Sequence, residues 1–337
     1  MYGTTNTSPH RSRLFLLSVA LIAVYPVMSA FAFDCKLAAT KFEKAICADP
    51  AALAADAALG AAYTSLRNLL VGGQRSDLAK AQSRWVLERD ANCGDKSGPD
   101  LSACLANQSK ARMTVLLGAP VAGPGSTGQL VPFFRIEKGA AGKTNVDVEV
   151  IKFANPTTAG DHAFNADVEK LISDIPQPDK ADKTEDYSFS ALMTLSYASR
   201  HLISAQTITS TFVGGAHPMT EITNINIDIA TGSEAKFANL LDEKPAKEIF
   251  KLCAAQVLQQ KKEREGADAD VSATALQALE QTVADVSGDL ALWSFNEDNA
   301  VITYSADVVA SHAEGVFDCT IPYVTLRKLA KASFPLP

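Results

Sequence analysis

Between residues 34 and 117 the apolar positions recur at helical spacing, and from Leu130 onward they mostly alternate, with helical stretches between. The first region predicts four helices. Thr40 and Glu43 stand at the spacing of a capping box, so a short helix is expected from Lys41 to Cys47. Pro50 suits the opening of a second helix, along which Leu53, Leu59, Tyr63, Leu66 and Leu70 recur until Gly72-Gly73 ends it. A third helix, from about Arg75 to Asn92, carries Leu78, Trp85 and Arg89; Gly94 to Pro99 reads as a loop, and a fourth helix follows from Leu101 to Leu117. Residues 118–129, rich in Gly, Pro and Ser, break every period and read as a semi-flexible, exposed linker.

The second region predicts strands and helices in mixture. Val146, Val148, Val150, Ile151 and Phe153 mark a strand, and residues 161–175 a helix with Phe164, Val168, Leu171 and Ile172 on one face. A polar loop, 174–186, precedes two alternating runs, Tyr187 to Ala198 and Leu202 to Phe212, which pair across a turn. Glu221 to Ile229 alternates again and ends in the turn Thr231-Gly232. Two helices are expected at 245–262 and 272–285, then paired strands at Leu290–Phe295 and Ala300–Tyr304, and a last short strand at 320–323. The fold class is therefore α+β: an N-terminal all-α module, then an antiparallel sheet with helices packed on one face.

The extreme N-terminus stands apart. Arg11 and Arg13 precede an apolar run from Leu14 to Val27, and Ala30-Phe31-Ala32 fits a small-residue cleavage site, so residues 1–32 are expected to be a secretory signal. The run is shorter than the roughly 20 residues of a membrane span, and nothing later is long enough to span once the signal is removed. The expected organisation is a signal at 1–32, a helical module at 33–117, a linker at 118–129 and an α+β module at 130–337. The expected location is periplasmic or secreted.

Export changes the reading of the six cysteines, Cys35, Cys47, Cys93, Cys104, Cys253 and Cys319, which become candidates for three disulfides. One continuous helix from 35 to 47 would hold its end cysteines about 18 Å apart, beyond disulfide reach. With the helix starting at Lys41, residues 35–40 can fold back and bring Cys35 to Cys47. Cys93 and Cys104 flank the third loop and can staple it. No C-x-x-C pair occurs, which speaks against zinc or thioredoxin-type chemistry. The formal charge is −7, and losing Arg11 and Arg13 makes the mature chain more acidic still. That speaks against nucleic acid as a partner and favours a basic one.

Specific motifs then add a resemblance. Asp34-Cys35, Glu43-x-x-Ile46-Cys47, Pro50-x-x-Leu53-x-x-Asp56-x-x-Leu59-x-x-x-Tyr63, Gln82-x-x-Trp85, Arg89-Asp90-x-x-Cys93, Cys104-Leu105 and Arg112 together resemble the LprI-type lysozyme-inhibitor module, although Gln108 stands where that family often has an aromatic. In the second region, Gly214-Gly215-Ala216-His217-Pro218, Asn226-x-Asp228, Thr231-Gly232, Trp293-x-Phe295, Ala313-x-Gly315 and Ile321-Pro322-Tyr323 resemble the C-terminal module of RsiV and PdaC type. RsiV-like proteins bind lysozyme; in PdaC-like enzymes the module accompanies a polysaccharide deacetylase, for which this chain has no room. Beside that module, Cys253 and Cys319 are expected to pair and tie a helix to the C-terminal strands.

The candidate chemistry is recognition rather than catalysis. Gly214 and Gly215 allow a tight turn and Pro218 fixes its exit, so His217 is offered from a loop between strands. The loop of Gly214, Gly215, Ala216, His217 and Pro218 is the candidate partner-binding site. His217 could equally bond and shape its own turn, and Arg89 with Asp56 could be an internal ion pair rather than a contact surface. His162, His201 and His312 sit in unrelated contexts, so no metal is expected. No G-x-S-x-G motif or distinguishable pair of carboxylates suggests a catalytic centre, and no cofactor is expected. The resemblances imply a non-enzymatic protein whose partner is lysozyme, blocked at its cleft; the alternative is a binder of peptidoglycan glycan or of another envelope partner.

Overall fold

In the computed structural model, residues 34–138, 144–173, 187–214, 217–266 and 272–337 are described. The expected signal, 1–32, and the polar loop, 174–186, lie outside them, as do Gly215 and Ala216 of the candidate loop.

The helical module is built by strong local signals. Asp34 caps a short 3-10 turn, Cys35–Leu37, by accepting from the Lys36 amide at 3.0 Å. Thr40 and Glu43 form the expected capping box: the Glu43 amide donates to Thr40 Oγ1 at 3.1 Å and the Thr40 amide to Glu43 Oε2 at 2.8 Å. The amides of Thr40 and Ala39 hold the Glu43 carboxyl below its ordinary range. Helix α1, Lys41–Ala48, follows, and Asp49 then caps α2, Pro50–Leu69, from the amides of Ala51 and Ala52. Helix α3, Gly73–Asn92, begins earlier than Arg75 because Gly72, at φ 56°, makes the turn before it. Helix α4 spans Gly98–Leu116. Cys35 is bonded to Cys47 and Cys93 to Cys104, with Cα separations of 5.7 and 5.9 Å.

The main sheet has six strands in sequential order: β1 Leu130–Lys138, β2 Thr144–Phe153, β3 Tyr187–Ala198, β4 Leu202–Phe212, β5 Met219–Asp228 and β6 Ser233–Glu234. Most neighbours are antiparallel, but β2 and β3 run parallel. A parallel pair needs a crossover, and the connection between them contains α5, Ala159–Ser173. Phe164 and Val168 of α5 pack on Val146, Val148, Val150, Ala191, Met193 and Ala205, the apolar set that alternation selects.

A second sheet, β7 Trp293–Phe295, β8 Asn299–Tyr304 and β9 Phe317–Pro322, is antiparallel throughout. It shares a core with α6 Phe237–Leu240, α7 Glu243–Glu265, α8 Ala273–Val286 and α9 Tyr323–Leu329. The last strand starts earlier than expected and stops at Pro322, where α9 begins. Cys253 of α7 is bonded to Cys319 of β9, and both are fully buried. The sheets are joined through polar groups: Asn226 of β5 donates to the carbonyls of Leu290 and Trp293 at 2.8 Å each, and the Phe295 amide donates to Ser204 Oγ at 3.0 Å. Asn226→Ala orphans the Trp293 carbonyl in a buried seam, while the Leu290 carbonyl keeps the Trp293 amide, and is expected to cost about 2 kcal/mol in urea unfolding, given roughly 1–3 kcal/mol per unsatisfied buried group.

Residues 118–129 are more firmly held than a free linker. The amides of Val121 and Ala122 donate to the carbonyls of Leu195 and Ser196 at 2.8 and 3.1 Å, and Ala122 bridges Tyr197 in parallel. The pairing of β2 with β3 ends at Leu192, so the later part of β3 has an open edge that this segment fills. Gly123, at φ 90°, lies so close to the Ala198 carbonyl that a Cβ would approach it to 2.5 Å. Val121 remains exposed.

Candidate functional site

The candidate loop sits at the tip of the β4–β5 hairpin, beyond the pair Thr211 and Met219. Gly214 adopts φ 89°, the left-handed backbone for which glycine suits this turn. His217 and Pro218 are exposed, and so are the flanking Val213 (54%) and Met219 (65%). Apolar side chains at a projecting tip are the common equipment of a contact surface.

His217 has a neighbour that its sequence context does not reveal. Its ring stacks on His312, with centroids 4.3 Å apart and planes 21° from parallel. His312 Nδ1 lies 2.9 Å from Asp307 Oδ2. His217 Nδ1 is 3.3 Å from its neighbour's carbonyl, Pro218 O, so the turn-shaping contact and the exposed ring coexist. The loop carrying His312 is anchored from α7. Lys261 pairs with Glu314, and Arg264 donates to the carbonyls of Glu314 and Val316 at 2.5 and 2.7 Å while covering the Phe317 ring. A capping box of Ser311 and Glu314 shapes the turn between them. The result is one tip made from two chain segments, offering two imidazoles, the Asp307 carboxylate and two apolar side chains. It can donate and accept hydrogen bonds toward a partner. Among the described residues no three His, Cys, Asp or Glu side chains converge as metal ligands would.

The motif residues of the helical module have structural partners. Arg89, nearly buried, bonds Asp90 at 2.7 Å, lies over the Trp85 ring at 5.3 Å and approaches Asp56 at 3.9 Å. Burial pushes the Asp56 carboxyl above its ordinary range, and Arg89 offsets this in part. The internal ion-pair reading of Arg89 thus holds, with Asp90 the nearer partner.

The helical module is seated on the main sheet. Phe134 of β1, fully buried, enters the cluster of Leu59, Ala62, Leu66, Leu78, Ala81 and Leu116. Gln74 of α3 bonds the Phe134 backbone twice, donating from Nε2 at 2.6 Å and accepting at Oε1 at 3.0 Å, as a neighbouring strand would. Lys80 donates to the Ile136 carbonyl at 3.1 Å. Together they cover part of the exposed edge of β1, an edge that would otherwise be free to pair with another chain. Beside them Arg112 of α4 and Arg84 of α3 both reach Glu149 of β2, and Arg84 also pairs with Asp147.

The fold thus defines a disulfide-stapled four-helix domain docked on an α+β body. Residues 35–116 match the family described as "Lysozyme inhibitor LprI". That match takes in all four helices and the Cys35–Cys47 and Cys93–Cys104 disulfides. No curated protein matches the chain. Among solved structures, a DUF3298 family member from Bacteroides fragilis is similar over 62% of this chain and 95% of its own, at 14% identity and a TM-score of 0.45. A DUF3298 family protein from Pseudomonas aeruginosa PAO1 is similar over 62% and 95%, at 17% identity and a TM-score of 0.41. Among the described residues no single helix is both long and apolar enough to cross a membrane; α1 and α2 meet that measure of length and composition only together, and they are bent by 109° where they join.

Proposed function

We propose that this chain is an exported, non-catalytic protein that binds lysozyme and inhibits it by occupying its active-site cleft. The observation that carries the reading is the match of residues 35–116 to the lysozyme-inhibitor family. Three further features support it. The RsiV-type resemblance of the second module points independently to the same partner. The acidic chain suits a basic partner, because complementary charge speeds encounter. The side chains of His217, His312, Val213 and Met219 at the tip are exposed, as those of a cleft-entering contact must be. A retaining glycosidase such as lysozyme works with two carboxyl groups across the scissile bond, and imidazole donors are suited to bond them.

The test uses the purified, oxidised chain from residue 33. Calorimetry against chicken-type lysozyme should give submicromolar binding that weakens with salt, and lysis of cell walls should be suppressed. His217→Ala should weaken binding about tenfold or more, the scale of a contact that anchors an interface, while the unfolding midpoint stays put. Inhibition that survives His217→Ala and Met219→Ser together would move the contact to the helical module. No binding to lysozymes of the chicken, goose or invertebrate types would remove the inhibitor reading altogether.

A further inference from the structure

The two sheets diverge from their shared seam and leave a cleft of about 380 Å³ between them, within the size range of small-ligand sites. Its floor is the face of the main sheet opposite α5, where Thr194, Ser196 and Gln206 stand on β3 and β4. Its far wall is the second sheet, which contributes Ser294, Thr303 and Asp318. Val121, from the segment pinned along β3, and Val301 and Val316 supply aliphatic surface around these groups.

Four of the polar side chains, those of Thr194, Ser196, Gln206 and Ser294, are unused by the fold. Ser196 and Ser294 are buried residues, 6% and 4% exposed. Neither their hydroxyls nor the side-chain polar groups of Thr194 and Gln206 bond any described residue, and none is sealed from solvent. Elsewhere along the same seam the Ser204 hydroxyl and the Asn226 side-chain N–H groups join the sheets. Hydroxyls and an amide gathered in a concave place without internal partners call for a ligand with many donors and acceptors. Asp318 is the one charged side chain in the lining, and it accepts from Thr303 Oγ1 at 2.8 Å. A carboxylate accepts hydroxyl donors and repels anions. The aliphatic patches suit the C–H faces of a sugar ring.

We infer that this cleft binds a neutral saccharide, with Thr194, Ser196, Gln206 and Ser294 exchanging hydrogen bonds with its hydroxyl or acetamido groups and Asp318 accepting from a hydroxyl. The site is separate from the His217 tip and does not depend on the lysozyme reading. Its ligand could be cell-wall glycan or another neutral sugar, and the probes separate these sources.

The experiment is saturation-transfer NMR with calorimetry on the oxidised chain without lysozyme, using triacetylchitotriose, cellotriose and trigalacturonate. At least one neutral trisaccharide is expected to bind, and trigalacturonate is not. Binding of chitotriose alone assigns the site to acetamido glycan, and binding of cellotriose assigns it to neutral sugars more broadly. Thr194→Val with Gln206→Leu, at positions that are not fully buried, should weaken binding at least tenfold without moving the unfolding midpoint. Ser294→Ala is the second variant should that pair disturb folding. No transfer to either neutral sugar, equal binding of trigalacturonate, or binding unchanged in the variants would overturn the inference.

Discussion

Glu149→Ala is expected to destabilise the protein by about 3–5 kcal/mol, the cost of breaking a buried ion pair from one side. Glu149 and Arg112 each keep only 5% of their side-chain surface exposed. Apart from Glu149, Arg112 donates to the neutral Gln82 at 3.1 Å and lies over the Phe134 ring at 6.0 Å. Removing the carboxylate therefore leaves a guanidinium in a nearly dry seam with no anion. Arg84 is less stranded, because it also pairs with Asp147 and with Glu88. The reverse change, Arg112→Met, should cost less, since Glu149 keeps Arg84 and the methionine fills much of the vacated volume. The double variant Arg112→Met with Glu149→Leu should recover more than half of the Glu149→Ala loss, because two apolar groups replace two matched charges. Urea unfolding of the wild type, both single variants and the double variant measures this directly. A Glu149→Ala cost below about 1 kcal/mol would mean that water or Arg112 itself relaxes to relieve the charge, and that the docking rests on the other contacts, those of Phe134, Gln74, Lys80 and the Arg84–Asp147 pair.

The elements of the helical module were legible in the sequence because their signals are local. Thr40 with Glu43, and Asp49 ahead of Pro50, specify helix starts within a few residues. Those starts bring Cys35 and Cys47 together, a pairing that a longer helix would forbid. Strand faces were legible too: Val146, Val148 and Val150 lie on the α5 side, as alternation requires. Alternation does not say what covers the other face. Asp147 and Glu149 read as solvent-facing by the same rule, yet α3 and α4 lie on them. Arg112 stood out only as a motif residue, and its partner is distant in sequence. The same limit applies at the tip. His217 was visible through Gly214 and Pro218, whereas His312 lies far along the chain and is brought to it only by the anchoring of its loop from α7. Glycine and proline in residues 118–129 mark a break in periodicity. They could not reveal that β2 parts from β3 at Leu192 and leaves an edge for that segment to fill.

Replacing Cys253 and Cys319 by alanine should cost about 4 kcal/mol, the largest effect expected from any of the disulfides. In the chain-entropy account, a crosslink stabilises by restricting the unfolded chain, and the gain grows with the loop it closes. Cys253 and Cys319 are separated by 66 positions, against 12 for Cys35 and Cys47 and 11 for Cys93 and Cys104, for which about 3 kcal/mol is expected on the same account. The structure gives this crosslink a further part to play. The second sheet has only three strands and β7 has only three residues, so its hold on α7 depends on the core around Trp293, Ile302 and Cys319. Burial separates the disulfides in kinetics as well. Cys253 and Cys319 are both fully buried, whereas Cys35 is exposed. A thiol reagent added to the native protein should therefore open Cys35–Cys47 first. Cys253–Cys319 should resist until the α+β body unfolds, and its loss should coincide with the main unfolding transition. Mass spectrometry of alkylated samples along a reductant time course reads the order. Early opening of Cys253–Cys319 without loss of tertiary structure would show that α7 parts from the second sheet in the native state, and that the anchoring of the His312 loop by Lys261 and Arg264 is weaker than the contacts on α7 imply.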